Sequence, residues 1–429
     1  MPSAKAGFTL YVTTESLLTQ GMEVGLPPRV KQASASYKGR GNQEAAERLL
    51  TAAVELFSQK WYGTVSVAEM CRAAGLSNGV FYRYYDDKEA LFKVILGRIL
   101  DQVREALERT DGETPRERLR SYAEAIVRFS EEHADLVSVF REGQYRYFEY
   151  ERRLVAIYMR SLGAALGREV GLAEYLFALG GLRFCAINWA FNAAPVQLEA
   201  VCGILTDGLF RGLDFDPEKV FGGTATPLPV ALEEGARERL LQSGRRLFGD
   251  KGFFETNVHE VTDGAQLSVG AFYTYFDSKE AFYGELIAKV GHDARAFIAG
   301  NLAAPGTARL NALEFELRGL WLWLIYLSID KHCYNIVREA EFVLPAAVRN
   351  YYAAFTAGYR KRPARLRVTR AAPGVDEGTA IEYLMGLAHY FGMETAFDGS
   401  PVDARALVET IGRYLGRGLL EFLSREELT

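Results

Sequence analysis

Apolar residues recur at helical spacing through most of the chain. Leu49, Leu50, Ala53, Val54, Leu56 and Phe57 give one helix an apolar face, and Val67, Met70, Cys71 and Leu76 continue the same small core. Phe92, Ile95, Leu96, Ile99, Leu100, Val103 and Leu107 then hold a stripe along a much longer helix. Pro115 opens another helix at its first turn, where the missing amide is no loss. Residues 172–191 and 195–213 are two strongly apolar helices, and Gly180, Gly181, Gly203 and Gly208 are small enough to let neighbours approach. A short β-like run from Phe8 to Val12 lies outside this pattern. The periodicity predicts an all-α chain.

The pattern is duplicated. Residues 48–92 and 239–283 align without a gap at a constant offset of 191, with 19 of 45 pairs identical where chance gives roughly three. Each copy has start signals for three short helices. Ser66 precedes Glu69 by three residues, and Asn257 precedes Glu260 in the same way, the spacing of a capping box. Ser77 and Ser268 stand where the next helix begins, and Asp87 and Ser278 precede Lys-Glu-Ala at the start of a longer one. Gly75 supplies a left-handed turn residue between the first pair. Two short helices joined by such a turn predict a helix-turn-helix, whose second helix presents its N-terminal side chains to base edges in the major groove.

These residues resemble the tetracycline-repressor (TetR) family of bacterial regulators. The matching positions in copy two are Lys251, Gly252, Phe253, Thr256, Asn257 and Val258, then Leu267, Ser268, Gly270, Phe272, Tyr273, Tyr275, Phe276 and Lys279. Copy one departs from the pattern at Trp61 and Val65, and copy two at Gln266, where the turn glycine is expected. The resemblance implies two TetR-like subunits in one chain, each a three-helix head on a helical body with a small-molecule pocket. It also implies that the last two helices of each body form a four-helix bundle, so one chain acts as an intramolecular pseudo-dimer.

The expected organisation is an extension at 1–41, a head at 42–92, a body at 93–221, a linker at 222–235, a second head at 236–283 and a second body at 284–429. The bodies repeat more faintly: VFREGQYRYF near Phe140 parallels IVREAEFVLP near Val337, and EYL and RGL each recur. The wider connection, 214–235, has turn and extended residues without helical period; 20 extended residues span up to roughly 65 Å. The extension ends in Arg29, Lys31, Lys38 and Arg40, which fits either a loose tail or an arm for the minor groove. The run from Arg360 to Arg370 fits either a solvated loop or a phosphate cradle.

Composition narrows the function. The net charge of −5 excludes a globally basic protein, although charge on one face is what DNA requires. Cys71, Cys185, Cys202 and Cys333 show no CxxC spacing and read as buried thiols. No metal-ligand cluster, nucleophile elbow or phosphate loop appears, so neither an enzyme nor a cofactor is expected. The most apolar window, 320–329, is far short of the roughly 20 residues a bilayer span needs, and no charged-then-apolar leader opens the chain. No membrane role and a cytoplasmic location are expected.

Recognition helices are predicted over 78–84 and 269–275. DNA-contacting candidates are Ser66, Ser77, Asn78, Gly79, Tyr82, Arg83, Tyr84 and Lys88 in the first head, and Asn257, Ser268, Val269, Gly270, Tyr273, Thr274, Tyr275 and Lys279 in the second. Glycines admit the DNA backbone closely, tyrosines offer hydroxyls to phosphates, and the lysines begin a helix whose free amides favour a phosphate. Tyr84 and Tyr275 fit the core equally well. Arginine reads guanine and asparagine adenine, whereas valine and threonine meet a thymine methyl, so Asn78 and Arg83 differ in kind from Val269 and Thr274. At helical spacing the bodies' aromatics fit plain core; for the pockets that the resemblance implies, the candidates are Phe140, Tyr145, Phe184 and Trp189 in the first body, and Trp321, Trp323, Tyr326, Phe342, His389 and Tyr390 in the second. Arg141, Glu142, Arg338 and Glu339 are polar candidates beside them, or structural pairs. The expected function is a ligand-responsive repressor that binds double-stranded DNA at an asymmetric operator and is released by an apolar or acyl effector. The alternative is an interaction module that has lost DNA binding.

Overall fold

The computed structural model describes residues 40–192, 195–228, 235–304, 307, 309–367, 374–397 and 403–423. The N-terminal extension up to residue 39 and the end of the basic run, 368–370, lie outside the described residues. Every regular element among the described residues is helical. Tertiary contacts gather the chain into two compact units, one ending at Cys202 and the other running over Gly203–Glu421.

In the first unit, α1 (Arg40–Gln59), a tight turn at Tyr62–Thr64, α2 (Val67–Ala73) and α3 (Asn78–Tyr84) make the head. The long α4 (Lys88–Glu108) leads into α5 (Pro115–Glu132), α6 (Ala134–Arg146) and α7 (Phe148–Leu166). The next helix is interrupted: α8 (Leu172–Tyr175) passes through a π turn at Leu176–Gly180 into α9 (Gly181–Asn192). Thr114 caps α5 through a full capping box, with Pro115 at the first turn. A stacked and edge-on triad closes the head: Tyr62–Phe92 at 4.8 Å, Phe57–Phe92 at 4.9 Å and Phe57–Tyr62 at 5.5 Å.

The second unit repeats this plan with α12 (Ala236–Lys251), α13 (Val258–Gly264), α14 (Val269–Tyr275) and α15 (Lys279–Leu302). Its body is α16 (Ala312–Ile329), α17 (His332–Val343), α18 (Pro345–Arg360), α19 (Glu377–Phe397) and α20 (Ala404–Arg417). The equivalent triad is Phe253–Tyr283 at 4.9 Å, Phe248–Tyr283 at 4.9 Å and Phe248–Phe253 at 5.9 Å. In each unit the head's first helix packs on one body helix, α1 on α6 and α12 on α17.

The connection is tied to the second body. After α10 (Leu198–Asp207), the short helix α11 (Pro217–Phe221) lies against α16. Asn311 donates to the Asp214 carbonyl at 2.9 Å, Glu314 accepts the Asp216 amide at 3.1 Å and Lys219 at 3.0 Å, and Arg318 donates to the Val220 and Gly222 carbonyls at 2.8 and 2.7 Å. Turn residues without helical period therefore do not amount to a free spacer here, because polar groups on α16 satisfy the main chain. Residues 229–234 lie outside the description. The end of α10 also meets the end of α20: Phe210 donates to the Leu415 carbonyl at 2.7 Å, and Leu419 to the Leu205 carbonyl at 2.8 Å.

Candidate nucleic-acid interface and effector cavity

Local sequence builds both reading helices. Ser66 caps α2 by accepting the Glu69 amide, and Asn257 and Glu260 close a full capping box on α13. Ser268 caps α14 at the Ala271 amide, whereas Ser77 makes no such side-chain cap on α3. The turn before each reading helix is the same. Leu76 donates to Cys71 at 2.8 Å and Gly75 to Arg72 at 3.1 Å; Leu267 donates to Thr262 at 2.9 Å and Gln266 to Asp263 at 3.0 Å. This is the paired bonding of a left-handed C-terminal cap. Gly75 adopts φ +66°, and Gln266 adopts φ 56° in its place. The missing glycine thus leaves the turn intact and costs strain of about 1–2 kcal/mol.

Asn78, Gly79, Tyr82 and Arg83 are exposed on α3, and Gly270, Tyr273, Thr274 and Tyr275 on α14, with Val269 half-buried. Tyr82 and Tyr273 match closely at 54% and 55% exposure. Ser66, Ser77, Asn257 and Ser268 are also exposed. Two expectations change. Tyr84 is only 6% exposed while Tyr275 is 45% exposed, so the first ring belongs to the head's core and the second to its surface. Lys88 and Lys279 turn inward. Lys88 donates to the Tyr62 and Val65 carbonyls at 2.7 and 2.8 Å and lies over the Tyr62 ring; Lys279 donates to the Thr256 carbonyl at 2.7 Å over the Phe253 ring. The unsatisfied carbonyls of the preceding turn claim these ammonium groups in place of a phosphate. Burial lowers the pKa of both lysines.

Each head is held to its body by a carboxylate. Both oxygens of Glu142 on α6 accept the Tyr62 amide at 3.0 Å, and Glu339 on α17 accepts the Phe253 amide at 2.7 Å. Gly252, at φ +86°, makes the second approach feasible, since a Cβ there would stand 2.7 Å from the Glu339 carboxylate. A further tie in the second unit is Arg245 on α12, which pairs with Asp293 at 2.8 Å, with Asp330, and with the Tyr326 hydroxyl at 2.6 Å. The sequence marked the Arg-Glu pair of α6 and α17 as pocket-side candidates or structural pairs; in the structure both glutamates hold main-chain amides of the heads. Their signal was that the dipeptide survives in bodies that otherwise repeat faintly.

A cavity of about 620 Å³ opens inside the second body, within the size of ordinary small-molecule sites. Of the expected residues, Trp323 and His389 line it. Trp321, Tyr326, Phe342 and Tyr390 do not belong to its wall. Trp321 meets Phe221 edge-on at 5.0 Å, Tyr326 holds Arg245, Tyr390 is fully buried and Phe342 half-buried. Helices packed on several sides send successive rings to different neighbours. The wall includes Arg338, the residue before Glu339, and Arg362 from the basic run. Arg362 donates to Glu316 at 2.6 Å, and the Tyr359 hydroxyl donates to the same carboxylate at 2.6 Å. Burial, together with the Glu316 charge, raises the pKa of Tyr359. In the first body Phe140 is buried and Tyr145, Phe184 and Trp189 are half-buried. The buried polar centre there is Arg183, which donates to Glu151 at 2.7 Å and to the Tyr175 hydroxyl at 2.8 Å.

Among the described residues no group of three metal-binding side chains occurs, and no helix is long and apolar enough to cross a membrane.

Comparison with known proteins finds sequence similarity to helix-turn-helix regulators. The family described as bacterial regulatory proteins, tetR family, matches residues 49–95 and again residues 240–286. The HTH-type transcriptional regulator YuxN of Bacillus subtilis (strain 168) is 26% identical over 211 residues, covering 45% of this chain and 70% of its own. The HTH-type transcriptional repressor DhaR of Mycobacterium sp. (strain GP1) is 32% identical over 77 residues, covering 17% of this chain and 39% of its own. Among solved structures, the transcriptional regulator FadR from Bacillus subtilis in complex with stearoyl-CoA aligns with a TM-score of 0.34 and 15% identity, over 42% of this chain and 98% of that one. The chain is a transcription regulator of the TetR family, with two of the family's helix-turn-helix units in tandem.

Proposed function

We propose that this chain is a ligand-responsive repressor that reads an asymmetric operator with its two unlike heads. The observation that carries this reading is the pair of reading helices. They have equal length and equal capping positions, yet they carry exposed Asn78 and Arg83 on one, and half-buried Val269 and exposed Thr274 at the equivalent places on the other. An asparagine and an arginine favour adenine and guanine, while valine and threonine favour a thymine methyl. A homodimer presents identical helices and so favours a palindrome; one chain with two unlike helices favours dissimilar half-sites. The tandem occurrence of the head in one polypeptide supports reading the chain as an intramolecular pseudo-dimer. The effector is a small apolar or acyl molecule held in the cavity of the second body. Its route to the DNA runs along α17, where Arg338 lines the cavity and the adjacent Glu339 grips the head. The effector acts only through a difference in affinity for the bound and released arrangements.

A gel shift on the DNA upstream of the chain's own gene, repeated over a salt series, tests the reading. Specific binding that weakens steeply with salt is expected, because phosphate contacts release counterions. The absence of any shift at low salt would favour the interaction module. That module drew its support from the missing turn glycine and from the acidic heads, and the left-handed Gln266 bears on the first of these alone.

A further inference from the structure

The cavity of the second body is apolar over most of its wall, with Leu320, Trp323, Phe355 and Leu384 among the lining residues. Its ionisable side chains are unbalanced. Among the described residues of its wall, Arg295, Arg338, Arg362 and Arg365 stand with one carboxylate, Glu316. Glu316 is already committed to Arg362 at 2.6 Å, and Arg365 donates to the Leu310 carbonyl at 2.9 Å. Arg295 is different. Among the described residues it has no ion-pair partner, its guanidinium lies over the Phe355 ring at 5.2 Å, and its buried Nη1 has no hydrogen-bond partner. A shielded guanidinium nitrogen without an acceptor is costly, and a fork of donors matches a carboxylate or a phosphate; the mostly apolar wall around this one suits the singly charged carboxylate head of a hydrocarbon chain.

We propose that the effector is an amphipathic monocarboxylate, its carboxylate on Arg295 and its hydrocarbon against the Trp323 and Leu384 wall. The inference rests on the cavity's being the effector site. It narrows the effector from any apolar molecule to an anion-headed one. The lowered pKa of Arg295, caused by burial with no carboxylate beside it, agrees with a group that lacks its counter-ion. Arg295 supplies charge-assisted donors at one end, and the remaining wall removes chain surface from water.

The experiment uses the full chain without DNA, with Trp323 at the cavity wall as a fluorescent reporter and calorimetry as a second readout. Three probes share one chain: dodecanoate, 1-dodecanol and dodecanoyl-coenzyme A. Dodecanoate is expected to bind at least about tenfold tighter than the alcohol, the scale of one charge-assisted hydrogen bond. The coenzyme A thioester, which has no carboxylate at its acyl end, is expected to bind more weakly than the free acid. Arg295→Leu is expected to bring acid and alcohol to similar affinity, and Arg295→Lys to keep part of the preference. An unaltered circular-dichroism spectrum and thermal midpoint of Arg295→Leu confirm that the variant is folded. Equal binding of acid and alcohol by the native chain overturns the proposal, as does a preference that survives Arg295→Leu. Tighter binding of the thioester also overturns it and assigns the arginines to phosphates. None of these outcomes depends on DNA binding, so failure here is distinct from failure of the regulator reading.

Discussion

The Glu339 carboxylate accepts the Phe253 amide at 2.7 Å, and at the equivalent place Glu142 accepts the Tyr62 amide with both oxygens at 3.0 Å. In each copy a body helix therefore holds the tight turn between the head's first two helices. Glu142 is buried, so Glu142→Ala leaves the Tyr62 amide without its acceptor, a loss of about 1–3 kcal/mol. Hydrogen exchange at the Tyr62 amide reads this locally, which matters in a chain of two units. Faster exchange in Glu142→Ala and a smaller change in Glu142→Gln are expected. Unchanged exchange would show that the carboxylate does not hold the head.

Gln266 adopts the conformation that Gly75 adopts without penalty. Gln266→Gly should stabilise the second head by about 1 kcal/mol, net of the greater freedom glycine gains when unfolded. Gly75→Ala should destabilise the first head, because alanine would have to hold φ +66°. Denaturation followed by a probe in each head checks both. A loss of stability in Gln266→Gly would mean that the glutamine side chain holds the turn.

The equivalent tyrosines Tyr84 and Tyr275 part company. Tyr84→Ala should cost about 3–5 kcal/mol of stability, as large aromatic truncations in a core do. Tyr275→Ala should leave stability nearly unchanged and weaken DNA binding, since its ring is exposed on the reading helix. Measuring both properties for both variants gives a crossed pattern; parallel effects would contradict the burial difference.

Lys88 spends its ammonium group on two main-chain carbonyls. Lys88→Ala should lower the stability of the first head. It should leave the salt dependence of DNA binding within less than one phosphate contact of the native slope, a contact being worth about 0.9 in that slope. A slope shallower by a full contact would place the lysine on DNA.

Much of the reading apparatus was legible in the sequence. The gapless repeat, the capping residues and the ends of α3 and α14 follow from local signals, because caps and turns act within a few residues. The inward swing of Lys88 and Lys279 was not legible. Their position at a helix start suits a phosphate as well as a carbonyl, and the choice depends on a turn folded 23 to 26 residues away. The cavity was half legible. Aromatic rings marked the right helices, but only Trp323 and His389 of the second body's candidates face it. In a helix as apolar as α16, period does not say which face meets a cavity and which meets α11. The excess of arginines at the wall comes from three separate stretches of chain, and only folding brings them together.

The central claim is that one polypeptide reads two dissimilar half-sites. Footprinting of the chain on its operator, with the number of chains per site measured in the same complex, tests it most directly. One chain should protect two unlike halves about one helical turn apart, and Arg83→Ala should weaken protection over one half alone. A perfect palindrome protected by two chains, weakened evenly by Arg83→Ala, would contradict it.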